Sequence, residues 1–268
     1  RQYLEDFDFL SRTAMGFVEF PLEENLFAYI ARELNNLVHN AIVIVSSFDS
    51  NNKCFTIRAL NANENWVKVL EDGLGLPLLG LETGADENFL NRLQQNRLVK
   101  IQSGLYGLSN MLRPRQLCRE LEKKLEIEDI QVIGFSRRGT LLGTASLLIT
   151  RGGKLGSPGL IETFANQASV AIERRRMREQ LQEREKQLVV TLESIGEGVI
   201  AVDITGRIRL WNPAAEAITG WSNHQAVGQP LVKIFPLLDP TSKSPGKLIV
   251  FKDLLPRDGS GERRFQNL

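Results

Sequence analysis

The sequence has few of the residues that build disulfide frameworks and metal centres. Its 268 residues include two cysteines, Cys54 and Cys118, and two histidines, His39 and His224. The cysteines are 64 positions apart and form no CxxC pair, which excludes a disulfide framework and a Cys-rich zinc site. Such cysteine usage is typical of a reducing compartment, and we therefore expect a cytoplasmic protein.

The sequence also lacks long apolar runs and a charge excess. No run approaches the ~20 apolar residues that span a bilayer, and no signal peptide opens the chain. Lys and Arg number 33 against 32 Asp and Glu, a net charge of +1, which argues against binding to nucleic acid through overall charge. Of the basic runs Arg137-Arg138 and Arg174-Arg175-Arg176, the second is flanked by glutamates, which favours a solvated helix face.

Catalytic motifs are missing as well. A histidine kinase needs a phospho-accepting histidine followed by an acidic residue and then a proline. His39-Asn40-Ala41 and His224-Gln225-Ala226 do not fit that pattern, and no P-loop or HExxH motif occurs. We predict no catalytic residue and no metal site in this segment. Because position 1 is Arg rather than Met, we interpret the chain as a piece of a longer protein.

What the sequence does contain begins with an α+β pattern. Leu26, Ile30, Leu34 and Leu37 repeat at helical spacing. Two pairs of β-branched runs follow, at residues 41–48 with 54–60 and at residues 129–136 with 140–150, each around a polar turn. Between the pairs, Pro114 suits the first turn of another helix. This order predicts an antiparallel sheet with helices segregated from it.

A long helix is predicted after Pro158, with no breaker before Gly196. Its second half carries a heptad seam, in which Arg184 occupies one position; the apolar members are Met177, Leu181, Leu188, Leu192 and Ile195. Two interpretations stay open: a solvated linker helix, or a parallel dimeric coiled coil. A second strand pair, residues 198–203 and 206–211, then leads into a helix at Asn212-Pro213.

The last part of the chain resembles a PAS sensor domain. The resemblance rests on residues 192–203 (LESIGEGVIAVD), 208–221 (IRLWNPAAEAITGW) and 227–231 (VGQPL), followed by Ile234-Phe235-Pro236. A PAS fold implies a five-stranded sheet, yet only 57 residues follow Trp211. Residues 247–253 look like the family's final strand, with a segment omitted near Pro245-Gly246. In the alternative alignment, Arg257-Asp258-Gly259 is a middle turn and the final strand is missing.

The first part resembles a GAF domain of the kind that precedes PAS modules in prokaryotic sensor histidine kinases. The similarity lies in residues 47–49 (SFD), 57–60 (IRAL), 134–139 (GFSRRG) and 161–172 (IETFANQASVAI). With this resemblance we expect an N-terminal helix at 1–13, a GAF domain at 14–172, a coiled-coil-like helical linker at 173–192 and an incomplete PAS domain at 193–268.

Cys118 is the one candidate cofactor residue. Phytochrome-type GAF domains attach a bilin to a cysteine in a similar place, and here Cys118 precedes Gly143 by 25 residues, although the neighbouring residue is Arg119 rather than the usual His. A haem is a second interpretation, and a small buried hydrophobe on an apolar helix face is the third. The resemblance further implies a ligand cup, for which we predict Phe48, Tyr106, Cys118 and Phe135 as lining residues.

Together these features predict the signal-input region of a cytoplasmic two-component sensor histidine kinase, with its kinase core and response regulator downstream. The GAF cup would bind a small ligand or cofactor, and a helix, paired in a homodimer, would pass the signal to the PAS domain. The alternatives are a ligand-free dimerisation and docking scaffold, or the input region of a transcriptional regulator or a cyclic-nucleotide enzyme.

Overall fold

A computed structural model of the chain describes residues 2–84, 86–109, 113–194 and 196–234. The chain divides into two compact units, Arg1–Arg178 and Glu179–Leu268. The features predicted at residues 247–253, at Pro245-Gly246 and at Arg257-Asp258-Gly259 lie outside the described residues.

The first unit is built on one sheet. Its strands are β1 (Val38–Asp49), β2 (Cys54–Asn61), β3 (Glu82–Gly84), β4 (Val99–Lys100), β5 (Ile127–Arg137) and β6 (Thr140–Leu155). Its helices are α1 (Gln2–Glu19), α2 (Leu26–Leu37), α3 (Glu64–Leu74), α4 (Glu87–Leu93), α5 (Gly104–Leu108), α6 (Arg115–Lys124) and α7 (Pro158–Ser194), the last of which continues into the second unit.

The spatial order of the strands is β3-β2-β1-β6-β5-β4, and every neighbouring pair is antiparallel. This confirms the predicted α+β class and both predicted hairpins. In the β1–β2 turn, the Asp49 carboxylate accepts the Asn51 amide at 2.8 Å. In the β5–β6 turn, Arg138 and Gly139 have φ angles of 50° and 77°, the left-handed pair that a two-residue hairpin turn requires.

The two faces of the sheet pack against different helices. Successive strand residues point to opposite faces, so Val43, Val45 and Leu147 pack with α1, α2 and the first half of α7 into the largest hydrophobic cluster. The intervening residues, among them Ile44 and Leu148, face α3 and α6 on the other side. The sheet therefore separates two layers. The filled layer is formed with α1, α2 and the first half of α7, and the looser layer is formed with α3 and α6.

Helix α1 is part of the filled layer and continues to Glu19, beyond the predicted end at residue 13. The Phe9 and Phe164 rings lie 5.7 Å apart between centroids. The carboxylate of Glu33 on α2 is 4% exposed and lies 3.4 Å from the Arg12 guanidinium. Since a buried carboxylate needs a partner, this ion pair helps to fix α1 on α2.

Helix α7 contains 37 residues, in agreement with the predicted long helix. Its first half buries one face in the hydrophobic cluster with α1 and α2, whereas the seam side chains Met177, Leu181 and Leu188 are 56%, 58% and 64% exposed. Nothing within the described residues covers these three side chains, so the seam is open to solvent in the single chain.

The basic runs contact the rest of the first unit. Arg137 lies 3.6 Å from Glu173, and the Arg175 guanidinium donates hydrogen bonds to the carbonyl oxygens of Leu22 and Glu24. Arg175 thus connects α7 to the segment that joins α1 and α2.

In the second unit, strands β7 (Ile200–Val202) and β8 (Ile208–Trp211) form an antiparallel pair. Helices α8 (Pro213–Thr219), α9 (Asn223–Ala226) and α10 (Leu231–Ile234) follow. The side chain of Asn212 caps α8 by accepting the Ala215 amide at 2.9 Å, which confirms the predicted helix start. Trp211 is buried, and its indole N–H donates to the Trp221 carbonyl at 3.0 Å.

The β7–β8 turn is organised by the carboxylate of Asp203. One oxygen accepts the Thr205 hydroxyl at 2.6 Å and the Arg207 amide at 3.1 Å. The other lies 3.2 Å from Nε of Arg209. The Thr205 hydroxyl is the largest of the causes that lower the pKa of Asp203 from 3.8 to about 2.

We expect this depressed pKa to make the turn sensitive to acid. Because the folded pKa lies below the unfolded one, the stabilisation is complete above about pH 4 and is lost as the pH falls through about 2. Carbon-detected NMR titration of the full chain should place the Asp203 midpoint near 2. Thr205→Val removes the strongest donor and should move that midpoint towards 3.8. A wild-type midpoint already at 3.8 would contradict the geometry of the turn.

Candidate ligand-binding site

A cavity of about 650 Å³ lies on the looser face of the sheet. Strands β1, β2, β5 and β6 form its floor, and α3, α4, α5 and α6 contribute to its walls. The volume is within the range of small-molecule sites in proteins.

The floor of the cavity carries three hydroxyl groups. Ser46 on β1 stands directly opposite Thr144 on β6, and Ser146 is the next residue of β6 on the same face. All three residues have little exposed surface and line the cavity. A hydroxyl group both donates and accepts hydrogen bonds, so these three can bind a polar group of a ligand.

Apolar side chains form much of the surrounding wall. Leu70 and Leu74 come from α3 and Leu121 from α6, while Leu78 belongs to the connection after α3. These residues also form the cluster that closes this side of the sheet. A molecule in the cavity would therefore meet a polar floor and apolar walls.

Close packing holds α4 against the sheet beside the cavity. At Gly134 on β5, a β-carbon would overlap the backbone carbonyl oxygen of Leu93 at the end of α4. Glycine is needed here because any side chain would push the helix away.

Cys118 lies on the buried side of α6 and is 3% exposed. It lines the main cavity and also a second, more polar cavity of about 490 Å³. Burial and the nearby Glu122 carboxylate raise the pKa of the Cys118 thiol. The sulfur is therefore a thiol rather than a thiolate near neutral pH, which makes it a weak nucleophile.

The residues predicted to line the ligand cup lie in different places in the structure. Tyr106 joins Cys118 in the second cavity, where the Arg115 guanidinium lies 4.6 Å from the centroid of the Tyr106 ring. Phe48 does not line either cavity; its ring packs on Phe55, with centroids 4.8 Å apart.

Phe135 requires a correction. It is completely buried in the filled layer with Phe164 and Ile133, on the face of the sheet opposite to the cavity. The physical reason is strand periodicity, since Val132 faces the cavity and Phe135 follows it by an odd number of residues. Phe135 is a core residue.

Ser46, Thr144 and Ser146 were missed by sequence reasoning. The available signal was the recurrence of hydroxyl residues at alternate positions, Thr144 and Ser146, within the otherwise apolar strand 141–149. A polar residue on a buried strand face is unusual unless it meets a partner.

Across residues 2–84, 86–109, 113–194 and 196–234, no group of three or more His, Cys, Asp and Glu residues is arranged to hold a metal ion. In that same part of the chain, no helix combines the length and the apolar character needed to cross a membrane.

Comparison with known families finds a match in the last third of the chain. A family model for the PAS fold matches residues 186–246, which confirms the PAS prediction. "Probable diguanylate cyclase DgcE" of Escherichia coli (strain K12) is 32% identical over 80 residues, which cover 30% of this chain and 7% of the relative. "Signal transduction histidine-protein kinase AtoS" of the same organism is 48% identical over 44 residues, which cover 16% of this chain and 7% of the relative. The chain thus spans less than a tenth of these relatives.

Similar solved structures include GAF domains. The Thermosynechococcus elongatus PixJ GAF domain has a TM-score of 0.41 at 17% identity, covering 61% of this chain and 90% of that chain. The GAF domain from Acinetobacter phosphoenolpyruvate-protein phosphotransferase has a TM-score of 0.43 at 10% identity, covering 64% and 94%. The chromophore-binding domain of Stigmatella aurantiaca bacteriophytochrome has a TM-score of 0.45 at 14% identity, covering 65% and 61%.

Proposed function

We propose that this chain is the signal-input region of a cytoplasmic two-component sensor histidine kinase. The main cavity of the first unit binds a small molecule, and α7 passes the signal to the PAS domain. The observation that carries this proposal is the cavity itself, whose floor carries the hydroxyls of Ser46, Thr144 and Ser146.

The packing suggests how a ligand acts on α7. A molecule on the floor contacts β1 and β6 together, through Ser46 and Thr144. The opposite face of the same strands packs on α7, and β6 ends at Leu155, three residues before α7 begins at Pro158. A ligand that favours one arrangement of β6 would therefore bias the position of α7, as in other two-state switches.

The PAS match and the two curated relatives support a signalling role. One relative is by name a histidine kinase and the other a diguanylate cyclase. We favour the kinase, with its catalytic core and response regulator downstream, and the cyclase is the alternative output.

A tetrapyrrole is the cofactor we propose to test first. One of the similar solved structures, that of JSC1_58120g3, contains bound biliverdin, and Cys118 lines both cavities of this chain. Cys118 and the floor hydroxyls would hold such a group, which would supply light absorption or a haem iron when bound. The protonated thiol of Cys118 favours non-covalent binding over rapid thioether formation.

The test is to incubate the purified chain with haem or biliverdin and to remove the free pigment. We expect an absorption band that stays with the wild-type protein and is weakened in Cys118→Ala. Cys54→Ala is the matched control and should keep the band, because Cys54 lies on β2 outside both cavity linings. A colourless wild-type protein with both pigments would overturn the tetrapyrrole.

The exposed seam of α7 favours a second candidate function, a dimerisation scaffold. Met177, Leu181 and Leu188 are long apolar side chains exposed at heptad spacing, and paired helices commonly bury such a seam. This candidate needs no ligand, and it is compatible with a signalling parent.

Sedimentation at high protein concentration distinguishes the paired helix from a solvated linker. We expect the full chain to form dimers, and a chain ending at Ile172 to be monomeric. Leu181→Lys should shift the full chain towards monomer because it places a charge in the seam. Gln182→Lys adds the same charge one residue away and should leave the dimer intact. If the full chain and the shortened chain are both monomeric at high concentration, the paired helix is excluded.

A further inference from the structure

We propose that the ligand of the main cavity is an amphipathic anion, with an apolar body against the leucine walls and an anionic group held by Arg92 and Arg113. This inference rests on the proposed role of the cavity as a ligand site. It goes further by assigning the charge and polarity of the ligand.

The first observation is the charge balance of the lining. It includes the basic residues Arg92, Lys100 and Arg113 but a single carboxylate, that of Asp86. The Asp86 side chain is already used as the N-cap of α4, where it accepts the Phe89 amide at 2.9 Å. The lining therefore has a surplus of positive charge.

The second observation separates the three basic residues. Lys100 lies 3.0 Å from the Asp129 carboxylate, which neutralises it. Neither Arg92 nor Arg113 has a carboxylate within ion-pairing distance in the part of the chain that the structure describes. These two guanidinium groups are the free charges of the lining, and guanidinium binds carboxylate or phosphate oxygens in a bidentate manner.

The third observation is the position of the two arginines relative to the apolar walls. Arg92 is in the last turn of α4 and is exposed, and Arg113 precedes α6 and is half-buried. Leu74, Leu78 and Leu121 line the same cavity. An anion with an apolar body can use both parts of the lining, because its charged end stays partly hydrated while its body is removed from water.

The experiment compares three naphthalene probes of similar shape on the full chain. These are 2-naphthoate, the neutral 2-naphthamide and the cationic 2-naphthylmethylammonium, with Kd values from NMR titration at low salt. We expect 2-naphthoate to bind roughly tenfold more tightly than the amide, since a hydrogen bond to a charged partner has about that effect. The difference in affinity between 2-naphthoate and 2-naphthamide should shrink as salt is added, because salt screens the charge interaction.

Arginine variants locate the anionic group. Arg92→Gln and Arg113→Gln should each weaken the binding of 2-naphthoate severalfold and leave that of 2-naphthamide unchanged. Arg97→Gln is the matched control, since Arg97 is an exposed arginine outside the lining, and it should change neither Kd. Circular dichroism melts of the variants confirm that each is folded.

The outcomes separate this inference from the proposed function. Equal or tighter binding of the amide or the ammonium probe would overturn the anionic ligand and leave the cavity as a ligand site. Haem and biliverdin also carry carboxylates, so failure of 2-naphthoate to bind would overturn the inference if Arg92→Gln and Arg113→Gln leave the binding of these pigments unchanged. If none of the three probes binds, and haem and biliverdin do not bind either, the proposed function also fails.

Discussion

The alternation of side chains along the central strands is the constraint on which the rest of the first unit depends. Strands β1 and β6 pair over most of their length, and their successive residues point to opposite faces. One set of residues completes the core with α1, α2 and α7. The other set, which includes Ser46, Thr144 and Ser146, forms the floor of the cavity. The cavity and the helical layer thus lie on the two sides of the same strands.

In the proposed function, this arrangement gives a signal a short physical path. A ligand that contacts Ser46 and Thr144 acts on strands whose other side chains are packed directly against α7. Packed cores have few alternative arrangements, so a small movement of β6 is expected to move α7 rather than be absorbed locally. Further along α7, the side chains of Met177, Leu181 and Leu188 are exposed.

Much of the fold was predictable, because it follows from local patterns. The turn residues around Asp49 and Gly139 marked both hairpins, and the helical spacing of Leu26 to Leu37 marked α2. Asn212-Pro213 located the start of α8 from its capping chemistry. Each of these signals lies within a few residues in the sequence, so no knowledge of the tertiary structure was needed.

The lining of the cavity was harder to predict, because the face of the sheet to which a strand residue points depends on how the strand packs in the folded protein. Residues 132–136 are all buried, and a strand buried on both faces shows no alternation that tells one face from the other. Phe135 was therefore assigned to the cup although it belongs to the core. The charged lining was also hidden, since Arg92 and Arg113 come from separate segments that only the fold brings to one cavity.

The most direct test of this account places the same side chain on neighbouring residues of β6. Ala145 is completely buried in the filled layer, whereas Ser146 lines the cavity. In urea unfolding of the full chain, Ala145→Val should lower the free energy of unfolding by about 1–3 kcal/mol, because a close-packed core does not accept extra methyl groups. Ser146→Val should leave the free energy of unfolding unchanged or raise it, because the cavity has room. An equal loss for the two variants would contradict the division of the sheet into a filled face and an open one.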